Sequence, residues 1–216
     1  MIHPVQRLII PSLLKLWLKE VGGKENIPLD GRFIVTPNHQ SFLDDWIPSS
    51  IIVPTLDKEL HMYVNRKFFN NALFRWYLNN HESIPVEVYK GEGHKKINEE
   101  AFKKAIGYLE NGEPICIYPE GHRSIDGELQ KAKLGAAKLA LSAKVPVLPI
   151  GIIGSREAFP KGTYFPKIRR VVKVKIGKPM FFDRYYGKQD DIKVLSKVTK
   201  LIMNEIGKLI GKGYKY

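Results

Sequence analysis

The sequence RFIVTPNHQSFLD, residues 32–44, places polar side chains directly after a short apolar run. The apolar run predicts a strand over residues 32–36, and a helix is predicted to follow it over residues 41–52. Ser41 as an N-cap, with Asp44 three residues later, has the spacing of a capping box. The helix is therefore predicted to begin between His39 and Asp44, which leaves His39 on the preceding turn, free to fold back.

His39 and Asp44 have the chemistry of a general-base pair. The dipole at a helix N-terminus favours the ionised form of Asp44, which can then accept a hydrogen bond from one imidazole nitrogen and leave the other as a free base. Such a base could activate an enzyme nucleophile or deprotonate a substrate hydroxyl directly. The spacing alone is more often that of a histidine with a structural hydrogen bond.

A second polar stretch, YPEGHRS at residues 118–124, follows another buried apolar run. Ligands gather at the carboxyl ends of strands in open α/β sheets, and both polar stretches fall at such ends. Arg123 offers a planar donor fork that suits phosphate, and Gly121 lets the backbone approach a ligand. Glu120 could orient Arg123 or a substrate hydroxyl, and Lys133 adds a further cation. An ordinary turn with an ion pair is the alternative.

Predicted strands and helices alternate along the chain, which indicates an α/β fold with a mostly parallel sheet flanked by helices. The strands are predicted over residues 32–36, 60–65, 115–118, 145–153 and 171–176, and the helices over 41–52, 68–78, 99–109, 132–143 and 190–210. No repeat or linker indicates a second folded domain, so residues 23–216 are expected to form one catalytic domain.

The charge of the chain predicts an anionic partner. The 35 Lys and Arg residues exceed the 22 Asp and Glu residues, for a net charge of +13. Nucleic acid, anionic lipid or a phosphorylated substrate would each fit, as would a lysine-rich surface that serves solubility. No helix-turn-helix, RRM or zinc-finger pattern is present, so no nucleic-acid partner is expected. Cys116 is the single cysteine, which favours a reducing compartment.

The N-terminal residues 1–22 are predicted to form an amphipathic helix in a membrane interface. Apolar side chains dominate residues 5–21, with Lys15 and Lys19 on a narrow basic stripe. A helix packed on the domain is the alternative. No apolar run reaches the length of a spanning helix, so we expect a peripheral or monotopic protein on the cytoplasmic face of the cell membrane.

Taken together, the two polar stretches resemble motifs of the glycerolipid acyltransferase family, the PlsC-type lysophosphatidate acyltransferases. Asn38, His39 and Asp44 match the first motif, and residues 118–124 match the third. The basic second motif is similar to Asn65-Arg66-Lys67, and the fourth resembles VPVLPI at residues 145–150. The four motifs occur in the family's order over about residues 30 to 180.

The resemblance implies transfer of a fatty acyl group from acyl-CoA or acyl-carrier protein to the sn-2 hydroxyl of 1-acylglycerol-3-phosphate, which yields phosphatidic acid. It implies a His39 and Asp44 general-base dyad, no covalent intermediate, no cofactor other than the thioester co-substrate, and no metal. The residues expected to bind substrate are Glu120, Gly121, Arg123, Lys133, Arg66 and Lys67.

The sequence departs from the family pattern at four positions. Tyr118 and His122 stand where the family has Phe and Thr, while Arg66 and Arg75 replace an expected Lys and a common Gly. The acceptor therefore stays open: glycerol-3-phosphate, another lysophospholipid or a lyso-ornithine lipid is the alternative. A basic lipid-binding protein without activity is a further one.

Both substrates carry long acyl chains, and two regions are expected to receive or face lipid. The aromatic residues after the second motif are expected to line an acyl groove or, alternatively, to pack in the core: Phe68, Phe69, Phe74, Trp76 and Tyr77. The last predicted helix is expected to pack by its apolar face, with its lysines free to approach anionic lipid.

Overall fold

A computed structural model describes residues 5–89, 93–160 and 162–216. In these parts of the chain, seven strands form one sheet in the order β1-β7-β6-β2-β5-β3-β4. The strands are β1 (Leu18–Gly22), β2 (Ile34–Pro37), β3 (His61–Asn65), β4 (Ile84–Val86), β5 (Ile115–Cys116), β6 (Val147–Ile153) and β7 (Val172–Ile176). Only β6 and β7 pair antiparallel, and the other neighbours are parallel. The predicted mostly parallel sheet is confirmed.

Helices cover both faces of this sheet. They are α1 (Ile10–Leu14), α2 (Ile47–Leu56), α3 (Ala72–Asn80), α4 (His94–Glu110), α5 (Gly135–Ala143), α6 (Ser155–Ala158) and α7 (Ile192–Ile210). Buried side chains of α4, α5 and α7 form one apolar cluster with the sheet, and those of α1 and α2 form a second. As predicted, α7 buries its apolar face, including Ile202 and Ile206, and leaves Lys193 and Lys200 exposed.

The N-terminal segment differs from the single helix predicted for residues 1–22. A π-helical turn at Val5–Ile9 leads into the short helix α1, and residues 1–4 lie outside the described residues. The prediction of a helix through residue 21 is wrong for Leu18–Gly22, which form strand β1 beside β7. The register of this edge strand shifts between Leu18 and Glu20. That irregularity disturbs the alternation of apolar and polar residues by which a strand is predicted.

The helical part of this segment combines both alternatives that the sequence left open. Leu14 is buried in the cluster beside α2, as in a helix packed on the domain. Ile10 and Trp17 are partly buried against the same cluster, whereas Leu8, Ile9, Leu13 and Leu16 are 64%, 51%, 54% and 43% exposed. None of the helices in the described part of the chain has the length and apolar character to span a membrane.

The sheet topology brings the two polar stretches together. Strands β2 and β5 are parallel neighbours, so the segments that follow their carboxyl ends emerge at the same edge of the sheet. Strand β6, on the other side of β2, ends at this edge as well. The edge at the carboxyl ends of β2, β5 and β6 is called the active edge below.

Candidate functional site

The turn after β2 holds His39 against Asp44. Oδ2 of Asp44 accepts hydrogen bonds from the backbone N–H groups of Gln40 at 2.5 Å and Ser41 at 2.7 Å, and lies 3.3 Å from Nδ1 of His39. Ser41 accepts from the N–H of Leu43 at 3.1 Å. Only part of the predicted capping box is present. Asp44 accepts from the N–H of Ser41, but the prediction that Ser41 is a helix N-cap is wrong, because Phe42 is the N-cap of a 3₁₀ turn at Leu43–Asp45 and Trp46 is the N-cap of α2, which begins at Ile47.

Asp45 occupies the other side of the imidazole, and sequence reasoning missed it. Its Oδ1 lies 3.7 Å from Nε2 of His39, the nitrogen that does not face Asp44. Burial raises the pKa of Asp45 to about 6, although the His39 and Arg123 charges work to lower it. Burial works to lower the pKa of His39, but the hydrogen bond to Asp44 and the charges of Asp45 and Asp44 outweigh burial and raise that pKa.

Residues 118–124 form a cradle around His39. The N–H of His39 donates to Oε1 of Glu120 at 2.9 Å, and its carbonyl accepts from the N–H of Ser124 at 2.8 Å. The Tyr118 ring stacks on the imidazole with centroids 4.1 Å apart, and its hydroxyl donates to the Asp44 carbonyl at 2.6 Å. The two motifs are therefore one structural unit, and His39 is fixed through both its main chain and its ring.

Glu120 has a different place from the one predicted. Its side chain is 1% exposed, and its second oxygen accepts from the N–H of Gln130 at 2.7 Å. Burial raises the pKa of this carboxyl to about 7, against the two backbone donors, which work to lower it. Sequence predicted that Glu120 binds substrate; the structure instead points its carboxylate inward, where it joins the His39 turn to the Gln130 segment.

Arg123 lies at the open side of the cradle. Its guanidinium carbon is 3.7 Å from the centroid of the Phe42 ring, and Phe42 packs in turn near Phe159. Nη1 of Arg123 is buried and has no hydrogen-bond partner among the described residues. A buried cationic donor without a partner is the group that an incoming anion would satisfy.

Lys133 and Gly121, both predicted to bind substrate, are in contact with each other. Gly121 has φ +73°, and a Cβ at this position would lie 2.9 Å from Cε of Lys133. Nζ of Lys133 donates to the Val88 carbonyl at 2.8 Å, and its backbone N–H donates to Pro119. Burial lowers the pKa of this ammonium. Lys133 is thus tied to the cradle by its main chain, and its side chain passes over Gly121 to bond to Val88.

One large cleft connects these groups. It has a volume of about 1230 Å³ and is lined by His39, Asp45, Gly121, Arg123 and Lys133 together. Ordinary small-ligand pockets have volumes of about 300 to 1,000 Å³, so the cleft has room for a ligand with a long apolar part. The base and the cations that sequence assigned to one site do share it.

The second motif contributes unevenly to this cleft. Lys67 lines it, with Nζ 5.2 Å from the centroid of Phe68, whereas the exposed Arg66 is not among the described residues that line it. Arg66, predicted as a substrate-binding residue, therefore has no support from its position. The difference follows from the 3₁₀ turn at Arg66–Asn70, which directs neighbouring side chains to different sides.

The aromatic residues after this motif line the wall of the cleft. Phe68, Phe74, Trp76 and Tyr77 belong to the lining, while Phe69 does not. Phe74 and Trp76 are 51% and 59% exposed, so packing in the core is not their role. The acyl-groove prediction fits the position of four of the five residues.

Ser41 and Cys116, two nucleophilic side chains close to the His39 turn or inside the neighbouring strand, are not available for attack on a substrate. Ser41 donates to the carbonyl of Phe159 at 2.8 Å in addition to its capping contact. Cys116 is 0% exposed inside β5, and burial raises the pKa of its thiol well above the usual value. Neither group is placed to attack a thioester in the cleft.

Comparison with known proteins agrees with the motifs and the fold. A family model described as Acyltransferase matches residues 19–153. Chloroplast 1-acyl-sn-glycerol-3-phosphate acyltransferases are similar to this chain: that of Brassica napus is 26% identical over 84% of this chain and 49% of its own length. That of Arabidopsis thaliana is 27% identical over 82% and 50%. The chain thus spans about half the length of these plant relatives.

Bacterial proteins are matched over more of their length. The 1-acyl-sn-glycerol-3-phosphate acyltransferase of Bacillus subtilis is 27% identical over 78% of this chain and 79% of its own. The crystal structure of PlsC, the 1-acyl-sn-glycerophosphate acyltransferase of Thermotoga maritima, superposes with a TM-score of 0.70 at 23% identity. That match covers 96% of this chain and 80% of the other, and it shows the shared fold.

Proposed function

This chain belongs to the acyltransferase family, and we propose that it transfers a fatty acyl group from an acyl thioester to the sn-2 hydroxyl of 1-acylglycerol-3-phosphate, forming phosphatidic acid. The relatives named above carry that activity in their names. The observation that carries the proposal is the shared cleft: an imidazole paired with Asp44 lies in it beside Arg123 and Lys133.

In this mechanism His39 is the general base. Asp44 accepts from Nδ1–H, which leaves Nε2 to take the proton of the acceptor hydroxyl as its oxygen attacks the thioester carbonyl. The tetrahedral intermediate then collapses, the C–S bond breaks, and the proton on His39 passes to the departing thiolate. The products are the new oxygen ester and the free thiol, and His39 returns to its neutral form.

The cations position the acceptor. Arg123, with its unpartnered buried Nη1, and Lys133 would hold the glycerol phosphate, which directs the hydroxyl at Nε2 of His39. Positioning of this kind contributes about 7 to 11 kcal/mol to lowering a barrier, whereas a general base contributes about 10²-fold to 10⁴-fold in rate. Binding of the phosphate is therefore the larger part of the catalysis.

The apolar wall of the cleft receives the acyl chains, and the substrates come from a membrane. We place the exposed apolar side chains of the N-terminal segment, with Leu8 in the π-helical turn and Leu13 in α1, in the outer part of an anionic bilayer. Acyl-CoA and acyl-carrier protein both remain donors to be tested, because the cleft accepts the acyl group that they share.

The direct test is acyl transfer by the purified protein. Lysophosphatidate is incubated with acyl-CoA or acyl-carrier protein, and thiol release and the mass of the lipid product are followed. We expect phosphatidic acid, and we expect its rate of formation to fall at least about 10²-fold in His39→Ala, with the fold retained. Formation of thiol without a lipid product would contradict the proposal.

A second histidine–carboxylate pair provides the control. Nε2 of His61 lies 3.0 Å from Oε2 of Glu113, but His61 is not among the described residues that line the cleft. His61→Gln is expected to lower stability and to leave the rate per folded molecule within a few-fold.

Parallel assays with glycerol-3-phosphate, other lysophospholipids and a lyso-ornithine lipid identify the acceptor. Salt-sensitive lipid binding without any transfer would leave only the binding-protein alternative.

A further inference from the structure

We propose that residues 164–170, called the insertion loop here, enter an anionic lipid bilayer beside the N-terminal segment and set the cleft against the membrane. The inference rests on the proposed function only in that the substrate is a membrane lipid. It assigns a second membrane contact, far along the chain from the N-terminal residues that sequence singled out.

The insertion loop exposes large apolar side chains. Tyr164, Phe165 and Ile168 are 91%, 84% and 75% exposed, although they lie within five residues of one another. Isolated exposed apolar residues are normal on a protein surface, but a cluster marks a surface that binds something. The same loop packs by Pro166, which lines the cleft.

The charges of the loop fit an anionic partner. Lys167, Arg169 and Arg170 are exposed, and no Asp or Glu occurs from residue 162 to residue 170. Aromatic and aliphatic side chains interleaved with Lys and Arg are typical of segments that lie in a membrane interface, where each basic side chain contributes about 1 kcal/mol near an anionic surface. A protein partner would need an apolar pocket and acidic side chains opposite Lys167, Arg169 and Arg170. An anionic bilayer supplies both a hydrocarbon region for the apolar side chains and negative charge for the basic ones.

The fold places the loop at the mouth of the cleft. It belongs to the connection between β6 and β7, and because these strands are antiparallel that connection emerges at the active edge. Phe159, at the start of the connection, packs near Phe42, the ring below Arg123. A lipid that leaves the bilayer at this point would enter the cleft that His39 and Arg123 also line.

The loop is also bonded to the N-terminal segment. Nε1 of Trp17 donates to the carbonyl of Lys167 at 2.8 Å, and Nε of Arg170 donates to the carbonyl of Leu18 at 3.2 Å. The exposed apolar side chains of α1 and those of the loop are thus held on neighbouring segments. We infer that both enter one leaflet together, which fixes the orientation of the protein on the surface better than either segment could alone.

The single cysteine makes a site-specific test practical. Cys116 is buried, so Phe165→Cys creates one accessible thiol for an environment-sensitive fluorophore. Phe181→Cys is the matched control: Phe181 is 65% exposed and follows Met180, which bridges to Val147 at the start of β6, on the edge opposite the active edge. Vesicles contain either equal parts of phosphatidylglycerol and phosphatidylcholine or phosphatidylcholine alone.

We expect the label at position 165 to shift its emission to the blue on anionic vesicles and to be quenched by spin-labelled acyl chains, and the label at 181 to do neither. An unchanged spectrum at 165 while the protein floats with the vesicles would overturn the proposal. A shift at 165 that needs only high protein concentration, without vesicles, would overturn it in favour of a second copy of this chain.

Binding and catalysis are then separated by variants. Lys167→Gln with Arg169→Gln is expected to weaken vesicle binding about fivefold for each charge removed. The matched pair Lys175→Gln with Lys178→Gln should leave binding unchanged. Acyl transfer to a short-chain lysophosphatidate in free solution should be equal in all variants. If the unsubstituted protein shows no transfer but the label at 165 responds to lipid, the proposed function fails and the loop stands; transfer without that response rejects the loop alone.

Discussion

Oδ1 of Asp45 lies 3.7 Å from Nε2 of His39, the nitrogen that takes the substrate proton in the proposed mechanism. The imidazole is therefore bracketed by two carboxylates, with Asp44 at Nδ1. The second carboxylate favours the protonated imidazole, which cannot act as a base. If His39 is the general base, Asp45 should therefore set the lower end of the pH range in which the protein is active.

Asp45→Asn should shift the acidic limb of the kcat/KM profile to lower pH, because it removes a negative charge that raises the pKa of His39. The measurement is acyl transfer at saturating thioester from about pH 5 to pH 9. Glu157→Asn, a substitution on α6, serves as the charge-matched control and should keep the original limb. An unmoved limb in Asp45→Asn would show that the two side chains are not coupled.

The same groups predict how stability depends on pH. Asp45 and Glu120 have folded-state pKa values of about 6 and about 7, both raised by burial, and the pKa of His39 is raised as well. The folded protein therefore holds more protons than the unfolded chain, so the free energy of unfolding falls as pH rises. The destabilisation from ionising buried Asp45 and Glu120 develops between about pH 4 and their folded-state pKa values. The stabilisation from protonated His39 is lost as pH rises through the folded-state pKa of His39.

Urea unfolding at pH 5 and at pH 8 measures this dependence. Asp45→Asn should reduce the difference between the two pH values by about 1 kcal/mol, a figure discounted for the 39% exposure of this side chain. If the free energy of unfolding changes equally between pH 5 and pH 8 in the variant and the unsubstituted protein, Asp45 does not contribute to the pH dependence.

Tyr118→Phe separates the ring from the hydroxyl. The stacking on His39 is retained, and only the hydrogen bond to the Asp44 carbonyl is lost, so we expect a loss of about 1 kcal/mol of stability and transfer within a few-fold. Tyr118→Ala removes the stacking as well and should lower kcat much further. Equal kcat in the two variants would mean that stacking does not position the base.

Gly121→Ala tests the contact with Lys133. The positive φ and the 2.9 Å approach to Cε predict a loss of about 1 kcal/mol in stability and a higher KM for the phosphorylated acceptor, since Lys133 must move. Gly107→Ala, within α4, has nothing within 4 Å of the added Cβ, is not among the described residues that line the cleft, and should be neutral or slightly stabilising. Thermal unfolding and acceptor titrations compare the two, and an unchanged KM in Gly121→Ala would remove Lys133 from the binding site.

Arg123→Lys keeps the charge but not the planar fork. If Arg123 binds phosphate through two parallel donors, kcat/KM for lysophosphatidate should fall by about 10-fold to 100-fold, while the KM for the thioester stays the same. Separate titrations of the two substrates make the distinction. A change confined to the thioester would move Arg123 to the donor site.

Much of this site could be predicted because its residues lie at strand ends. The strand predicted over residues 32–36 has an uninterrupted apolar centre at Phe33, Ile34 and Val35, since β2 is buried on both faces, and the polar residues after it must reach the edge of the sheet. The pairing of His39 with Asp44 then follows from local capping chemistry, which depends on residues close in sequence.

Other features depend on contacts that sequence does not show. Strand β4 is three residues long and includes Pro85, which is tolerated because β4 is at the edge of the sheet. Glu120 has the residue type of a ligand-binding carboxylate, and only the backbone N–H groups of His39 and Gln130 reveal that it faces inward. Asp45 is not identified by the capping pattern, which involves only Ser41 and Asp44, and it reaches His39 because the 3₁₀ turn at Leu43–Asp45 directs it there.

The cradle that grips His39 at its amide, its carbonyl and its ring has an evolutionary consequence. The aromatic wall is built largely on α3, whereas the cradle follows β2 and β5, so under the proposed function substitutions at Phe74 or Trp76 should alter which fatty chains fit without moving His39. If the proposed function holds, reactivity and chain selection are inherited as separate modules, and lineages could diversify their lipids without changing the chemistry.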